Sequence, residues 1–313
     1  MRSYHHKAGL EHIGTVLNVI VFWRLSASVF LALCLVSASM FVYVHDMAFA
    51  QSFVRDWGSE GDSGNSQFQL PFGVTVDAGT GNIYALDTVN NRVQKFTNIG
   101  EFIRAWGTAC MLSTGQGCID EDGPGLLLSG INQFLFPFGI TVNPSDGNVF
   151  VADTYNHRIQ QFTSTGQFVR QWGSFGTGGG QFQYPFGISV NPSNGNVFVA
   201  DTGNNRIEQF TGTGQFVRLW GTFGTGPGQF QYPFGIATNH VTDTVYVADT
   251  YNQRIEQFTS TGQFVKQWGS FGTGSGMFQY PFGIAINSID GTAIIADTGN
   301  NRIQVFSICN IIC

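Results

Sequence analysis

The chain has 313 residues and a formal net charge of -6, and only 11% of its residues are charged. Its 42% hydrophobic content excludes an intrinsically disordered chain, and its acidic balance argues against a nucleic-acid binder. It contains 41 glycines and 30 phenylalanines, a composition typical of many turns between aromatic-rich strands. The length suits one large all-β domain or two ordinary domains.

An apolar segment without a charge occupies residues 25–44 and is long enough to span a bilayer as a helix. Basic residues precede it, so the positive-inside rule places the rest of the chain outside the cytoplasm. Residues 48–50, Ala-Phe-Ala, fit a signal-peptide cleavage site. We therefore predict residues 1–50 to be either a cleaved signal peptide or a transmembrane signal-anchor. Residues 51–313 would then be secreted, periplasmic or held at the cell surface by the membrane.

Cysteine usage agrees with export. Apart from Cys34 in the apolar segment, four cysteines are disulfide candidates with three alternative pairings, and free buried thiols are the other interpretation: Cys110, Cys118, Cys309 and Cys313. The sequence has no Cys-x-x-Cys pair, so a zinc or thioredoxin-type site has no support.

A sequence repeat occurs five times after residue 51. The dipeptide Asp-Thr begins at Asp87, Asp153, Asp201, Asp249 and Asp297, and its last three intervals are 48 residues long. The first interval is longer because of an insertion, which we place at residues 108–132. Such a regular period indicates a repeat architecture in residues 51–313.

The copy around Asp201 shows what one repeat contains. Short apolar strands are predicted at 188–190, 196–200, 206–210 and 216–220, with a turn at 185–187 and glycine-rich joins between copies. Four short strands in a period of 40 to 50 residues are typical of a β-propeller blade. The predicted fold is therefore an all-β propeller of four-stranded blades.

The two ends of the chain predict how the ring closes. The last copy lacks its fourth strand, and residues 52–58 (Ser-Phe-Val-Arg-Asp-Trp-Gly) match that missing strand. An N-terminal strand can therefore complete the C-terminal blade and hide an exposed edge. The count gives five blades, with six as the alternative if the insertion builds more structure than its length suggests.

The segment from Val199 to Phe210 closely resembles the core of the NHL repeat, and residues 151–162, 247–258 and 295–306 match as well. This resemblance implies a propeller of NHL-type blades, which most often number six. It implies less about function, because the family includes lyases, RNA-binding modules, sensors and interaction scaffolds.

The Asp of each copy is followed five residues later by Arg, and we interpret both as blade-building turn residues. We expect the Asp to accept hydrogen bonds from the backbone of the turn that follows it and to pair with the Arg. The pairs are Asp87 and Arg92, Asp153 and Arg158, Asp201 and Arg206, Asp249 and Arg254, and Asp297 and Arg302. A second basic set alternates with Phe and Trp on the fourth strand, where we expect packing between aromatic rings: Arg55, Arg104, Arg170, Arg218 and Lys266. Few basic residues are left for phosphate contacts, which disfavours RNA binding.

Enzymes in the family resemble a metal-dependent lyase with histidine ligands in the central channel. After residue 50 this chain has only His157 and His240, at different places in their repeats. We therefore predict no metal and no cofactor. The acidic run at 120–122 lacks the spacing of an EF-hand and is interpreted as a solvated loop.

A phenylalanine follows a proline just before the innermost strand of each copy. These residues are expected at one mouth of the channel, either as an aromatic collar for a ligand or as blade-to-blade packing: Phe72, Phe138, Phe186, Phe234 and Phe282. The insertion at 108–132 breaks the symmetry and is the best candidate for specific recognition.

Together these features predict an exported, monomeric binding module for a protein, peptide or glycan, without catalysis and without nucleic acid. The alternative is a metal-dependent lyase or hydrolase with its site in the channel.

Overall fold

The structure, a computed structural model, describes residues 55–61, 64–109 and 130–308. The predicted apolar helix, residues 52–54 of the predicted closing strand, and the four candidate disulfide cysteines lie outside these ranges. Within them, no helix has the length and apolar character needed to cross a bilayer.

The described chain is built almost wholly from short strands. In order they are β1 (Ser59–Glu60), β2 (Gln67–Phe68), β3 (Pro71–Val76), β4 (Ile83–Asp87), β5 (Arg92–Phe96), β6 (Phe102–Trp106), β7 (Thr108–Ala109), β8 (Gln133–Phe134), β9 (Gly139–Val142), β10 (Val149–Asp153), β11 (Arg158–Phe162), β12 (Phe168–Trp172), β13 (Pro185–Val190), β14 (Val197–Asp201), β15 (Arg206–Phe210), β16 (Phe216–Trp220), β17 (Pro233–Asn239), β18 (Thr244–Asp249), β19 (Arg254–Thr259), β20 (Phe264–Trp268), β21 (Pro281–Asn287), β22 (Thr292–Asp297) and β23 (Arg302–Ser307). Four single-turn 3-10 helices link second to third strands: Thr154–Asn156, Thr202–Asn204, Thr250–Asn252 and Thr298–Asn300.

The strands form five antiparallel sheets, which are the blades of the propeller. Blades 1 to 4 have four strands each (β3–β6, β9–β12, β13–β16 and β17–β20), and blade 5 has three within the described residues (β21–β23). The short parallel pairs β1–β2 and β7–β8 lie at two of the joins between blades. The predicted five-bladed all-β propeller is confirmed.

The strand boundaries in blade 3 follow the sequence closely. The third and fourth strands, β15 and β16, have the predicted limits. The first strand, β13, begins at Pro185 and not at Ile188, so the predicted turn at 185–187 was wrong. A break in register separates Pro185 from Ile188, and an innermost strand leaves one edge unpaired toward the channel, where a proline costs no ladder bond.

The first strands of the blades surround a narrow central channel. Consecutive first strands approach so closely that a Cβ on Gly187 would lie 2.2 Å from the backbone oxygen of Phe234 in the next blade. Only glycine permits that approach. The same approach explains Gly73, Gly139 and Gly235, whereas Gly283 of blade 5 has no such close backbone contact.

Apolar side chains fill the spaces between blades. Between blades 3 and 4, for example, Phe198 and Ile207 pack against Phe230 and Ile236 in one buried cluster. The tryptophan that ends each fourth strand lies against an aromatic ring of the next blade, with Trp220 and Phe258 centroids 5.9 Å apart. The core is thus a ring of similar interfaces and not a single central cluster.

A threonine after each second strand ties its blade to the next one. Thr202 donates its hydroxyl proton to the backbone oxygen of Pro233 at 2.6 Å, in a buried position. Thr88, Thr154 and Thr250 make the same bond to Pro137, Pro185 and Pro281. Thr298 of blade 5 differs, because its exposed hydroxyl lies 3.5 Å from Ala296 O of its own blade.

The interface between blades 5 and 1 is more open than the other four. Val74 of β3 is 67% exposed, whereas its equivalent Ile140 is 8% exposed, and Ile303 of β23 is 64% exposed. Trp57 nevertheless lies against Phe96 with ring centroids 6.0 Å apart, the arrangement of a fourth-strand tryptophan from the preceding blade. Closure of blade 5 by the N-terminal strand stays a prediction.

Each blade contains a buried Asp–Arg cluster that holds its turns. In blade 3 the Asp201 carboxylate accepts from Arg206 Nε at 2.8 Å, from Asn204 Nδ2 at 2.7 Å and from the backbone N–H of Gln183 at 2.7 Å. We expected the backbone donor to come from the turn that follows. It comes instead from the join 18 residues earlier, because the chain re-enters the blade beside the carboxylate.

The arginine of the cluster fixes the glycine-rich join. Arg206 Nη2 donates to the backbone oxygens of Gly178 and Gln181, each at 2.8 Å. Burial raises the pKa of Asp201, and the donors from Asn204, Gln183 and Arg206 oppose that rise. The same Arg–Asp pair occurs in every blade, at 2.7 to 2.8 Å.

The residue two positions after this arginine differs among the blades. Blades 1, 2 and 5 have glutamine there, and in blade 2 Gln160 Nε2 donates to Gln133 O at 2.7 Å and to Asp153 at 3.2 Å. Blades 3 and 4 have the buried Glu208 and Glu256. An ionised carboxylate cannot donate these bonds. Burial raises the pKa of both glutamates to about 7, and the neighbouring aspartates add to the rise while the arginines oppose it.

We predict that Thr202→Val lowers the free energy of unfolding by about 1–3 kcal/mol, because it leaves the buried Pro233 oxygen without its donor. Thr298→Val is the matched control and should change stability by less than about 0.5 kcal/mol, since that hydroxyl is exposed. Denaturant unfolding followed by tryptophan fluorescence measures both. Equal losses in the two variants would contradict the proposed role of the inter-blade bond.

We predict that Glu208→Gln and Glu256→Gln remove a pH dependence of stability. Folding raises the pKa of each glutamate from 4.5 to about 7. The stabilising contribution of each protonated glutamate to the free energy of unfolding is therefore fully present below about pH 4.5 and is lost as the pH rises through 7. Each variant should therefore be about 1–2 kcal/mol more stable than the parent at pH 8 and similar to it near pH 4.5.

The converse variant, Gln160→Glu in blade 2, provides the control for this prediction. It should introduce the same loss of stability between pH 4.5 and pH 8, since Gln160 occupies the equivalent buried position. Melting temperatures across this pH range test both changes. Parallel curves for the parent and all three variants would show that these carboxyls titrate normally.

Candidate functional site: an aromatic face

The two faces of the propeller differ in composition. One face carries the joins between blades and the 3-10 turns, because fourth strands end and first strands begin there. The other face carries the turns from first to second and from third to fourth strands. We call the first one the aromatic face and define it by the joins 173–185, 221–233 and 269–281 together with the 3-10 turns.

Each of these three joins, together with the first-strand phenylalanine that follows it, presents three aromatic rings between the rim and the channel. The rows are Phe175, Tyr184 and Phe186; Phe223, Tyr232 and Phe234; and Phe271, Tyr280 and Phe282. The outer phenylalanines are 63–66% exposed, and the tyrosines 45–47%. Aromatic surface this exposed and this regular marks an interaction site more often than a folding requirement.

The five phenylalanines expected at the channel mouth do meet there. Phe138 stacks on Phe186 with centroids 4.4 Å apart, and Phe234 stacks on Phe282 at 4.2 Å. Phe72 lies edge-on to Phe138 at 5.0 Å. The rings pack against one another over a cavity of about 250 Å³ lined by the Phe, Gly and Ile or Val of the five first strands. They form the centre of the aromatic face and not an open collar.

Two further tyrosines, in the 3-10 turns, link rings of neighbouring joins into two trios. The first trio is Phe136, Tyr155 and Tyr184, with successive centroids 5.5 and 5.3 Å apart. The second trio is Tyr232, Tyr251 and Tyr280, with centroids 5.1 and 5.4 Å apart. Gly203 takes the position of these turn tyrosines in blade 3, and it separates the trios.

The backbone at the join tyrosines is unusual. Tyr184 and Tyr232 have φ of 51° and 48°, a left-handed conformation that large side chains rarely adopt. The preceding blade holds each one: Tyr184 N–H donates to His157 Nδ1 at 3.1 Å, and Tyr232 N–H donates to Asn205 Oδ1 at 2.8 Å. Leu70 and Phe136 occupy the same repeat position in blades 1 and 2 with φ of 47° and 44°, so this conformation is a feature of every blade.

Charge is also unevenly distributed between the faces, with the exposed Glu60 of the join before blade 1 as an exception on the side of the joins. The joins 173–185, 221–233 and 269–281 contain no charged residue, and neither do the four 3-10 turns. The opposite face carries acidic side chains in its turns: Asp77, Glu101, Asp146, Asp243 and Asp290. The aromatic face therefore suits a ligand that brings no charge of its own to this surface.

The other residues singled out in the sequence lie away from this surface or are buried beneath it. The Asp–Arg clusters are buried under the face and hold its turns in place. Arg104, Arg170 and Arg218 of the fourth strands donate to backbone oxygens of the next blade's turn on the opposite face. Of the insertion, only Thr108, Ala109 and residues 130–132 lie within the described ranges.

The two histidines cannot share a metal. His157 lies on the aromatic face against Tyr184 and Phe175, whereas His240 follows a first strand and belongs to the opposite face. Burial lowers the pKa of His157, and its Nδ1 accepts a backbone proton. Across residues 55–61, 64–109 and 130–308, no three His, Cys, Asp or Glu side chains come together as metal ligands.

Sequence reasoning missed the tyrosines of the face. Their signal was present, since Gln-Tyr-Pro-Phe-Gly recurs at 183–187, 231–235 and 279–283. The proline and glycine of that motif suggested a turn and drew attention to the phenylalanine between them. The positive φ that turns the tyrosine outward is a tertiary property and cannot be read from the repeat.

Comparison with known proteins agrees with this architecture. The family model described as NHL repeat matches residues 134–162, 182–210, 230–258 and 278–306. Among curated proteins, the chain is 33% identical over 124 residues to the rat (Rattus norvegicus) peptidylglycine alpha-amidating monooxygenase, covering 37% of this chain and 11% of that protein. The chain thus spans about a tenth of the length of the curated relatives it matches.

Solved structures show the same fold at low identity. A streptogramin B lyase superposes with a TM-score of 0.52 at 15% identity, over 82% of this chain and 73% of that one. A chain of the nidogen/laminin complex gives a TM-score of 0.51 at 17% identity, over 77% and 81%. The NHL repeat matches in four consecutive blades of one ring, and the chain therefore belongs to the NHL-repeat β-propeller proteins.

Proposed function

We propose that this propeller is a non-catalytic binding module whose ligand docks on the aromatic face, and that it acts outside the cytoplasm. The single observation that carries the proposal is the exposed set of rings repeated in consecutive blades. These rings lie on a rigid scaffold, and their positions are fixed by buried Asp–Arg clusters. A rigid array of exposed tyrosine and phenylalanine supplies contact area at low conformational cost.

Catalysis in the channel has less support from the geometry. The mouth on the aromatic face is filled by packed phenylalanines, and the lining side chains of the cavity below are Phe, Val and Ile with glycine between them. The residues that line this cavity include no titratable or nucleophilic side chain. The likeness to a lyase structure is one of fold.

The sequence supports an extracytoplasmic location for the module. Residues 25–44 favour export, and the acidic composition with few free basic side chains disfavours a nucleic-acid partner. We propose a monomeric ring that is secreted or anchored at a cell surface, where a protein, peptide or glycan is its ligand.

We predict that the triple variant Phe175→Ser, Phe223→Ser, Phe271→Ser loses its ligand while it keeps its fold. These rings are more than 60% exposed, so their removal costs little stability. Loss of interface aromatics weakens binding by at least about tenfold. Full-length parent and variant are immobilised, exposed to a surface extract of the source organism, and the retained protein and carbohydrate are quantified.

The matched control replaces Val241 and Ile289 with Ser on the opposite face, where both side chains are more than 60% exposed. The control should retain what the parent retains. If the control loses the retained material and the triple variant keeps it, the aromatic face is not the binding surface. Unchanged melting temperatures for both variants exclude misfolding as the cause.

A further inference from the structure

We propose that the ligand of the aromatic face is a neutral glycan, with sugar rings stacked on the two tyrosine-containing trios. This inference rests on the proposed binding function and names the chemical class of the ligand. It is carried by four properties of the face: exposed rings, free polar groups beside them, no charge, and almost no aliphatic surface.

The rings are placed to accept flat, partly apolar ligands. Within the trios, successive rings are inclined by 52–71°, so each trio forms a shallow faceted surface and not a flat stack. The turn tyrosines Tyr155 and Tyr251 stand at the centre of their trios and are 48% and 51% exposed. The C–H face of a pyranose is apolar and packs on an aromatic ring, while its hydroxyls stay at the edge.

Polar groups are available at that edge. Gln183, Gln231 and Gln279 directly precede the join tyrosines, and their backbone N–H groups are engaged by the buried aspartates. Their side-chain amides have no hydrogen-bond partner among the described residues, and neither do the hydroxyls of Tyr184, Tyr232 and Tyr280. Amides and phenols beside a ring can both donate to and accept from sugar hydroxyls.

The composition favours a glycan over a protein partner. The joins 173–185, 221–233 and 269–281 have no charged residue and no Leu, Ile or Val, and Met277 is their sole methionine. The centre of a protein–protein interface combines aromatic residues with arginine, methionine and other apolar side chains. A surface of tyrosine, phenylalanine, glutamine, threonine and glycine lacks that mixture. The lack of any basic group also excludes recognition of an acidic polysaccharide on these joins.

The turn tyrosines recur at a regular interval, as the sugar units of a polysaccharide do. The turn position is Tyr155 in blade 2, Gly203 in blade 3, Tyr251 in blade 4 and Gly299 in blade 5, so the turn tyrosines recur every second blade. A polysaccharide chain offers identical sugar rings along its length and can meet both trios. A peptide would need its sequence to match them.

The test is affinity gel electrophoresis of the full-length protein in native gels that contain a soluble neutral polysaccharide: dextran, glucomannan, xyloglucan or laminarin. We expect at least one of them to retard the parent protein. The double variant Tyr155→Ala, Tyr251→Ala should migrate as it does without polysaccharide, which is a loss of affinity of at least about tenfold. Val241→Ala, on the opposite face, is the control and should be retarded like the parent.

Two results would overturn the glycan assignment and leave the binding function standing. One is normal migration of the parent in all four gels while the face-dependent capture of a protein from surface extract persists. The other is retardation by the acidic polysaccharide alginate alone. If neither polysaccharides nor extract components depend on the aromatic face, the proposed function itself is wrong.

Discussion

The buried ion pair between aspartate and arginine is the constraint on which the rest of this propeller depends. Asp201 has its carboxylate fully inside the blade, where an uncompensated charge would be very costly. Its donors come from three separate parts of the blade: the turn after the second strand, the third strand, and the join from the preceding blade. Satisfying one charge therefore fixes three segments at once. Because the cluster recurs in all five blades, the position of every join is set in the same way.

These clusters also fix the positions of the rings on the aromatic face. Gln183, whose N–H is bound by Asp201, directly precedes Tyr184 in the chain, and the turn that contributes Asn204 has the same position as the turn that presents Tyr155 in blade 2. The exposed rings are thus one or two residues away from groups that are held in the interior. A displacement of the cluster would move the rings, so the proposed binding surface and the blade interior are one mechanical unit. This explains why the joins can be rich in glycine and still present tyrosine at regular positions.

Much of the fold could be predicted from the sequence repeat alone. Strand order, blade number and the third and fourth strands of blade 3 followed from apolar runs separated by turn residues, since each of these is a local property. The position of Pro185 within β13 did not follow, because it depends on the channel leaving one strand edge unpaired. The backbone donor to Asp201 was also misplaced, since it comes from a join 18 residues away. The face was missed for the same reason: the outward direction of Tyr184 results from a bond to His157 in the preceding blade. The features that could be predicted depend on contacts within a blade, whereas those that were missed depend on contacts between blades.

The more open interface between blades 5 and 1 has a consequence for how the protein reaches its native state. Four of the five interfaces join blades that are neighbours in sequence, so they can assemble in order as the chain leaves the ribosome. The fifth joins the two ends, where Trp57 already occupies the place of a preceding blade's tryptophan against Phe96. Bringing those ends together closes a loop of the whole ring and carries the largest entropic cost of any interface in the chain. The kinetic barrier to the finished ring is thereby concentrated at its last interface, where Val74 and Ile303 are exposed in the structure.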